Sequence, residues 1–195
     1  MMADNDIGLF FGSFNPVHIG HLIIANTVLE SEKLKEVWFV ISPQNPHKRD
    51  SKSLAHEFDR LEMVEKAIYD DFRFRASDIE FHMPKPNFTV HTLAWLSERN
   101  PDKEFRLIIG EDNLSSFKNW KNYEVILDHY GLLVYPRTGS VPTDISNHKN
   151  VKKVDAPLLD ISASYIRKNI KEGRTIKYLV PDAVIELITR KGLYR

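Results

Sequence analysis

Ile7-Gly8-Leu9-Phe10-Phe11-Gly12-Ser13-Phe14-Asn15-Pro16-Val17-His18-Ile19-Gly20-His21 runs from an apolar segment through a glycine into a helical pattern. Ile7 to Gly12 is apolar nearly throughout, as a strand covered on both faces requires. Gly12 permits a tight turn, and Ser13 and Phe14 then offer backbone N–H groups. His18 to Glu30 reads as a helix. Its first turn carries His18 and His21, three residues apart and therefore on one face. Gly20 between them removes a side chain, so that another group can approach the backbone closely.

The same alternation continues outward. Strands are expected at Glu36 to Ile41, Phe72 to Ala76, Glu104 to Gly110 and Gly131 to Tyr135, with a short sixth at Val151 to Val154. Leu54, Phe58, Leu61, Val64 and Ile68 recur at helical spacing and predict the apolar face of a long helix. Further helices are expected at Thr89 to Glu98, around Tyr123 to His129, near Ser164 to Lys171 and at Pro181 to Lys191. Strand and helix in strict alternation predict an α/β fold, a doubly wound, Rossmann-like parallel sheet of five or six strands with helices on both faces. A small helical part follows from about residue 162. The loops Ser42 to Lys52, Met83 to Phe88 and Arg137 to Asn150 are expected to line a crevice at the carboxyl ends of the strands.

Composition bounds the rest. With 195 residues the chain predicts one domain, 1–195. Leu, Ile, Val and Phe supply 59 of them, enough to exclude a disordered chain. Lys plus Arg and Asp plus Glu each number 27, so no whole-surface attraction to nucleic acid or anionic lipid is expected. There is no cysteine, which excludes disulfides, thiolate metal sites and a catalytic thiol. No apolar run approaches a membrane span, and the acidic start lacks the build of a secretory signal, so a cytoplasmic protein is expected.

The free N–H groups and dipole of a helix start attract anions, and two imidazoles on the same turn add donors. The pair reads as a phosphate site. A metal site is the weaker reading, because no third ligand stands nearby.

Gly12-Ser-Phe-Asn-Pro-Val-His-Ile-Gly-His21 resembles the HxGH signature of the nucleotidylyltransferase superfamily. Ile161-Ser162-Ala163-Ser164-Tyr165-Ile166-Arg167 resembles its C-terminal signature. Within that group the chain is most similar to the bacterial nicotinate-nucleotide adenylyltransferases. The supporting blocks are Asn45-Pro46-His47-Lys48, Pro86 to Leu93, Ile108 to Asp112, Phe117 to Glu124 and Tyr178 to Tyr194. Ser164 stands where Thr is common, and Asn15 where Asp is frequent.

The resemblance implies adenylyl transfer from ATP to nicotinate mononucleotide, with Mg²⁺ accompanying ATP. It implies a triphosphate cradle of Gly12, Ser13, Phe14, His18, Gly20 and His21, with Ser162, Ser164 and Arg167 opposite. His18, His21 and Arg167 are its catalytic candidates, and Gly110 and Asp112 are expected near the adenosine. For the mononucleotide the candidates are His47, Lys48, Asn87, Thr89, Trp120 and Arg137. Trp120 is expected as the wall for the pyridine ring.

Related readings are a transferase acting on nicotinamide mononucleotide or phosphopantetheine, or a cytidylyltransferase. A class I aminoacyl-tRNA synthetase shares the box but needs a lysine-rich second signature and a larger chain. A nucleotide-sensing module is the non-enzyme alternative. A homo-oligomer stays open.

Overall fold

The computed structural model describes residues 5–43 and 54–195. Six strands form one parallel sheet: β1 Asp6–Gly12, β2 Glu36–Ile41, β3 Phe74–Ser77, β4 Glu104–Gly110, β5 Leu132–Tyr135 and β6 Val151–Lys153. Their spatial order is 3-2-1-4-5-6, the doubly wound arrangement, and all pairings are parallel. The order reverses between β1 and β4, so the crevice of the fold opens at the carboxyl ends of those two strands.

Six helices cover the sheet: α1 Ile19–Glu32, α2 Glu57–Ile68, α3 Thr89–Arg99, α4 Tyr123–His129, α5 Ala163–Lys171 and α6 Asp182–Lys191. Alternation along each strand divides the core into two layers. Phe10, Phe39, Ile41 and Ile108 face one layer, with Val28, Met63, Val64, Ile166 and Val184. Ile7, Leu9, Trp38, Val40, Leu107 and Ile109 face the other, against Leu93, Phe117 and Ile126. Each fully buried Leu, Ile or Val contributes about 1.5–3 kcal/mol of transfer free energy, so both faces of the strands stabilise the sheet. Gly8 lies where a side chain would strike Ile108 and Leu34, which close over it at 2.7 and 2.8 Å from where a Cβ would sit.

Three expectations are corrected. The buried stripe of α2 is Arg60, Met63, Val64 and Ile68; Leu54 precedes the helix and Phe58 is 57% exposed, its ring stacked on His56. β3 starts at Phe74, because Phe72 is 97% exposed and lies ahead of the pairing with β2. The regions after β3 and β4 and the loop before β6 contain 3-10 helices, Ile79–His82, Glu111–Asn119 and Asp144–Asn147, which no helical periodicity announces.

Candidate active site

At the end of β1 the backbone enters the turn through Gly12, and the left-handed residue there is Phe14, at φ 44°, not a glycine. A non-glycine residue in that region costs about 1–3 kcal/mol unless its surroundings fix it. Phe14 is fixed by burial: its ring meets Phe10, Phe39 and His21 at centroid distances of 5.9, 5.5 and 5.1 Å. Gly12 has a different task from the expected turn. A Cβ there would lie 2.9 Å from the Phe14 ring, so its bare backbone makes room for that ring.

His18 occupies the N-cap of α1 with extended backbone, and His21 is the third helical residue. Their rings stack 3.7 Å apart at 23°. The His18 backbone N–H donates to His21 Nδ1 at 3.2 Å, so in the neutral ring the His21 proton sits on Nε2. The His18 ring lies against Gly20, with Nδ1 at 3.1 Å from where a Cβ would stand. Any side chain at position 20 would displace it. Burial, with the charge of Arg137 adding to it, pushes His18 down to about 4. Burial, then His18, then Arg137 hold His21 well below the ordinary imidazole range. Both rings are therefore neutral at neutral pH before an anion arrives, each with one N–H to donate.

The second signature closes over the first. Arg167, from α5, donates to the Asn15 carbonyl at 2.8 Å and to the Ser164 hydroxyl at 3.2 Å. Ser162 caps α5, accepting from the Tyr165 N–H at 3.2 Å. Ile161 packs 3.6 Å from the Cβ position of Gly20. The Leu179 carbonyl takes the Ile19 N–H at 2.9 Å, so this donor of the α1 start is already used.

A cavity of about 280 Å³ results, lined by Ser13, His18, Gly20, His21, Ser162, Ser164 and Arg167, together with Asp112 and Arg137. Arg137 was expected with the mononucleotide candidates; the fold places it here, its Nε 3.8 Å from Asp112. Gly110 lies beside that pair, where a Cβ would meet Arg137 at 3.0 Å and Tyr135 at 3.2 Å. Burial pushes the Tyr135 hydroxyl up to about 12, so it remains a neutral group in the wall.

A second cavity, about 270 Å³, adjoins the first and shares Ser13 and Asn113 with it. Asn87, Thr89 and Trp120 line it together with Ser42, Glu80 and Phe88. Thr89 begins α3, and Trp120 packs on Phe117 at 5.3 Å while presenting itself to the cavity. His47 and Lys48 lie outside the described residues.

Two positions have structural roles that the sequence did not assign: Arg60 was passed over, and Asn15 was noted only as standing where Asp is frequent. Arg60 is fully buried and, among the described residues, forms no ion pair with a carboxylate. Its guanidinium donates to the carbonyls of Ser13 at 2.6 Å, Ser42 at 2.8 Å, Pro43 at 3.0 Å and Ala55 at 3.0 Å. It thereby ties the ends of β1 and β2 to the entrance of α2. Asn15 is the second: its Oδ1 accepts from the Ala55 N–H at 3.0 Å and the Tyr194 hydroxyl at 2.8 Å. The signal for Arg60 was a charged residue in the stripe with Met63, Val64 and Ile68; for Asn15 there was none beyond its place in the turn.

Comparison with known proteins gives consistent results. The profile of the cytidylyltransferase-like family matches residues 9–169. A Cytophaga hutchinsonii protein named "Probable nicotinate-nucleotide adenylyltransferase" is 57% identical over 188 residues, covering 96% of this chain and 97% of that protein. A Christiangramia forsetii protein of the same name is 46% identical, covering 97% of this chain and 98% of its own. Among solved structures, Plasmodium falciparum nicotinic acid mononucleotide adenylyltransferase complexed with NaAD superposes with a TM-score of 0.82. It covers 97% of each chain at 20% identity, a likeness of fold.

Proposed function

The chain belongs to the cytidylyltransferase-like nucleotidyltransferases and, within them, to the nicotinate-nucleotide adenylyltransferases, and from that membership we propose how this enzyme joins ATP to nicotinate mononucleotide. A phosphate oxygen of the mononucleotide attacks the α-phosphorus of ATP. The bond from that phosphorus to the oxygen bridging to the β-phosphorus breaks, and pyrophosphate leaves with nicotinate adenine dinucleotide as product. The attacking monoester has its second pKa near about 6 and is mostly dianionic at neutral pH, so the site needs no general base. What it must supply is alignment of two polyanions and donors for the charge that develops on the transferred group.

The observation that carries this reading is the pair of adjoining cavities joined at Ser13 and Asn113. The imidazole cavity takes the triphosphate, with the free N–H groups of His18 and His21 on one side and the Arg167 fork on the other. An arriving anion raises both imidazole pKa values, turning neutral donors into charged ones as negative charge accumulates. Arg137 lines the same cavity, its charge acting on both imidazoles, and meets substrate phosphate, while Asp112 accepts from the adenosine ribose. The aromatic cavity takes the pyridine ring against Trp120. The start of α3 at Thr89 receives the ring carboxylate.

Among the described residues no group of three or more His, Asp or Glu side chains forms a metal cage. We assign magnesium to ATP oxygens and water, with Asp112 a carboxylate that lines the cradle. When bound it neutralises polyphosphate charge; alignment and donation remain with the residues above. The test is pyrophosphate release by the purified protein with ATP and Mg²⁺. Release on adding nicotinate mononucleotide is expected. Silence with every pyridine mononucleotide overturns the reading.

A further inference from the structure

The pyridine cavity contains a group that its proposed ligand would oppose. Glu80 sits on the 3-10 turn Ile79–His82, lines the cavity and is 3% exposed. Its Oε1 accepts from the Thr92 hydroxyl at 2.9 Å, and the Ser42 hydroxyl bonds to the same carboxyl. No ion pair reaches it among the described residues. Burial, only partly offset by those two hydroxyls, pushes its carboxyl above the usual range. Asn87 lines the same wall. Its Nδ2 donates to the Glu80 main-chain carbonyl at 3.1 Å, and its Oδ1 is buried with no hydrogen-bond partner among the described residues. The wall thus presents acceptors, while the start of α3 at Thr89 offers N–H groups and the positive end of a helix dipole.

The two pyridine mononucleotides differ only in the ring substituent. A carboxylate brings negative charge and acceptors alone; a carboxamide brings two N–H donors and no charge. Beside an ionised, buried Glu80 the first is repelled and the second finds a partner. Beside a protonated Glu80 the helix end decides, and it favours the anion.

We propose that Glu80 is a specificity-determining residue: carrying its proton it admits the carboxylate ring, and without it the cavity turns toward the carboxamide analogue. This rests on placing the pyridine ring in this cavity. Of the other charged groups nearby, Lys121 lines the same cavity and supplies a cation at both ends of the pH range, leaving Glu80 as the group whose charge changes. Lys121 lies 4.6 Å over the Phe88 ring, and His91 meets the same ring edge-on at 5.6 Å. His82 pairs with Asp78 at 3.1 Å, Lys85 with Glu57 at 3.7 Å, and Arg60 is spent on backbone carbonyls, Ser42 among them.

The experiment measures kcat/KM for nicotinate and nicotinamide mononucleotides in parallel, with saturating ATP and Mg²⁺. Both carry the same phosphate, so its ionisation cancels from their ratio. In the unaltered enzyme the acid-to-amide ratio is expected to fall about tenfold or more as pH rises from the ordinary carboxylate range to about pH 9, the effect of one pKa unit of coupling. Glu80→Gln, nearly isosteric and unable to ionise, should hold the ratio at its low-pH value throughout. A ratio independent of pH in the unaltered enzyme, or the same slope in Glu80→Gln, overturns the proposal. If the variant melts early, the unaltered enzyme's profile still decides, together with dissociation constants for each mononucleotide measured without ATP. Turnover of both substrates at a constant ratio sinks this inference alone. No turnover of either at any pH sinks the functional reading, and this one with it.

Discussion

Replacing Arg60 with Met keeps the length and apolar stem of the side chain and removes only the guanidinium. Four carbonyl oxygens, on Ser13, Ser42, Pro43 and Ala55, then lose their donor in a partly buried region. A stranded buried acceptor costs about 1–3 kcal/mol, and water entering the vacated space recovers part of it. Relief from burying a charge opposes the loss, since among the described residues no carboxylate forms an ion pair with this cation. The balance is a destabilisation of about 3–5 kcal/mol, at the upper end of single substitutions. For a chain of this size that lowers Tm by roughly 10–15 °C. Arg60→Lys keeps the charge but lacks the planar fork that reaches carbonyls on separate segments, and should fall between the two. Urea unfolding followed by circular dichroism gives both values. A loss below about 1 kcal/mol in Arg60→Met would show that the four bonds are worth no more than their hydration, and would refute the reasoning.

Three further outcomes are expected. His18→Ala or His21→Ala should lower kcat by about 10²–10³ if each donor acts mainly in the transition state, and steady-state pyrophosphate release measures it. Trp120→Ala should raise KM for the pyridine mononucleotide far more than KM for ATP; the two KM values from the same assay decide. Stability should also depend on pH in a defined direction. His18 drops from 6.5 to about 4 on folding, so between those values the unfolded chain binds the extra proton. The contribution is present above about pH 6.5 and is lost as pH falls toward about 4, amounting to about 3 kcal/mol, with His21 adding in the same sense. Urea midpoints across that window check it, and His18→Gln should flatten the slope.

The layout of the sheet was readable because its strands are apolar on both faces. β2 and β4 have the bounds that their runs of Val, Ile, Leu and Phe indicate, and the alternation with helices predicted the parallel order. The α2 face was misread because Leu54 and Phe58 share a spacing with Val64 although the core lies a step around the helix, where Arg60 and Met63 point. In the candidate site the first signature was legible as spacing, since a helix start with two histidines carries local chemistry, whereas the second, Ile161 to Arg167, was legible only through its resemblance to the family's C-terminal signature. What spacing does not carry is contact between remote segments. Arg60 on Ser13, Tyr194 on Asn15 and Thr92 on Glu80 join residues that no local pattern links. The stacking of His18 on His21 was hidden for a different reason: His18 caps the helix instead of belonging to it, and extended backbone brings its ring over that of His21.

The bond from Ile19 to Leu179 and the grip of Arg167 on Asn15 have a consequence for biosynthesis. A nascent chain can pair β1, β2 and β4 before translation finishes, yet the cavity beside His18 and His21 lacks Ser162, Ser164 and Arg167 until α5 leaves the ribosome. Termination between β4 and α5 would remove that wall and, with it, Ile166 and Val184 from one layer of the core.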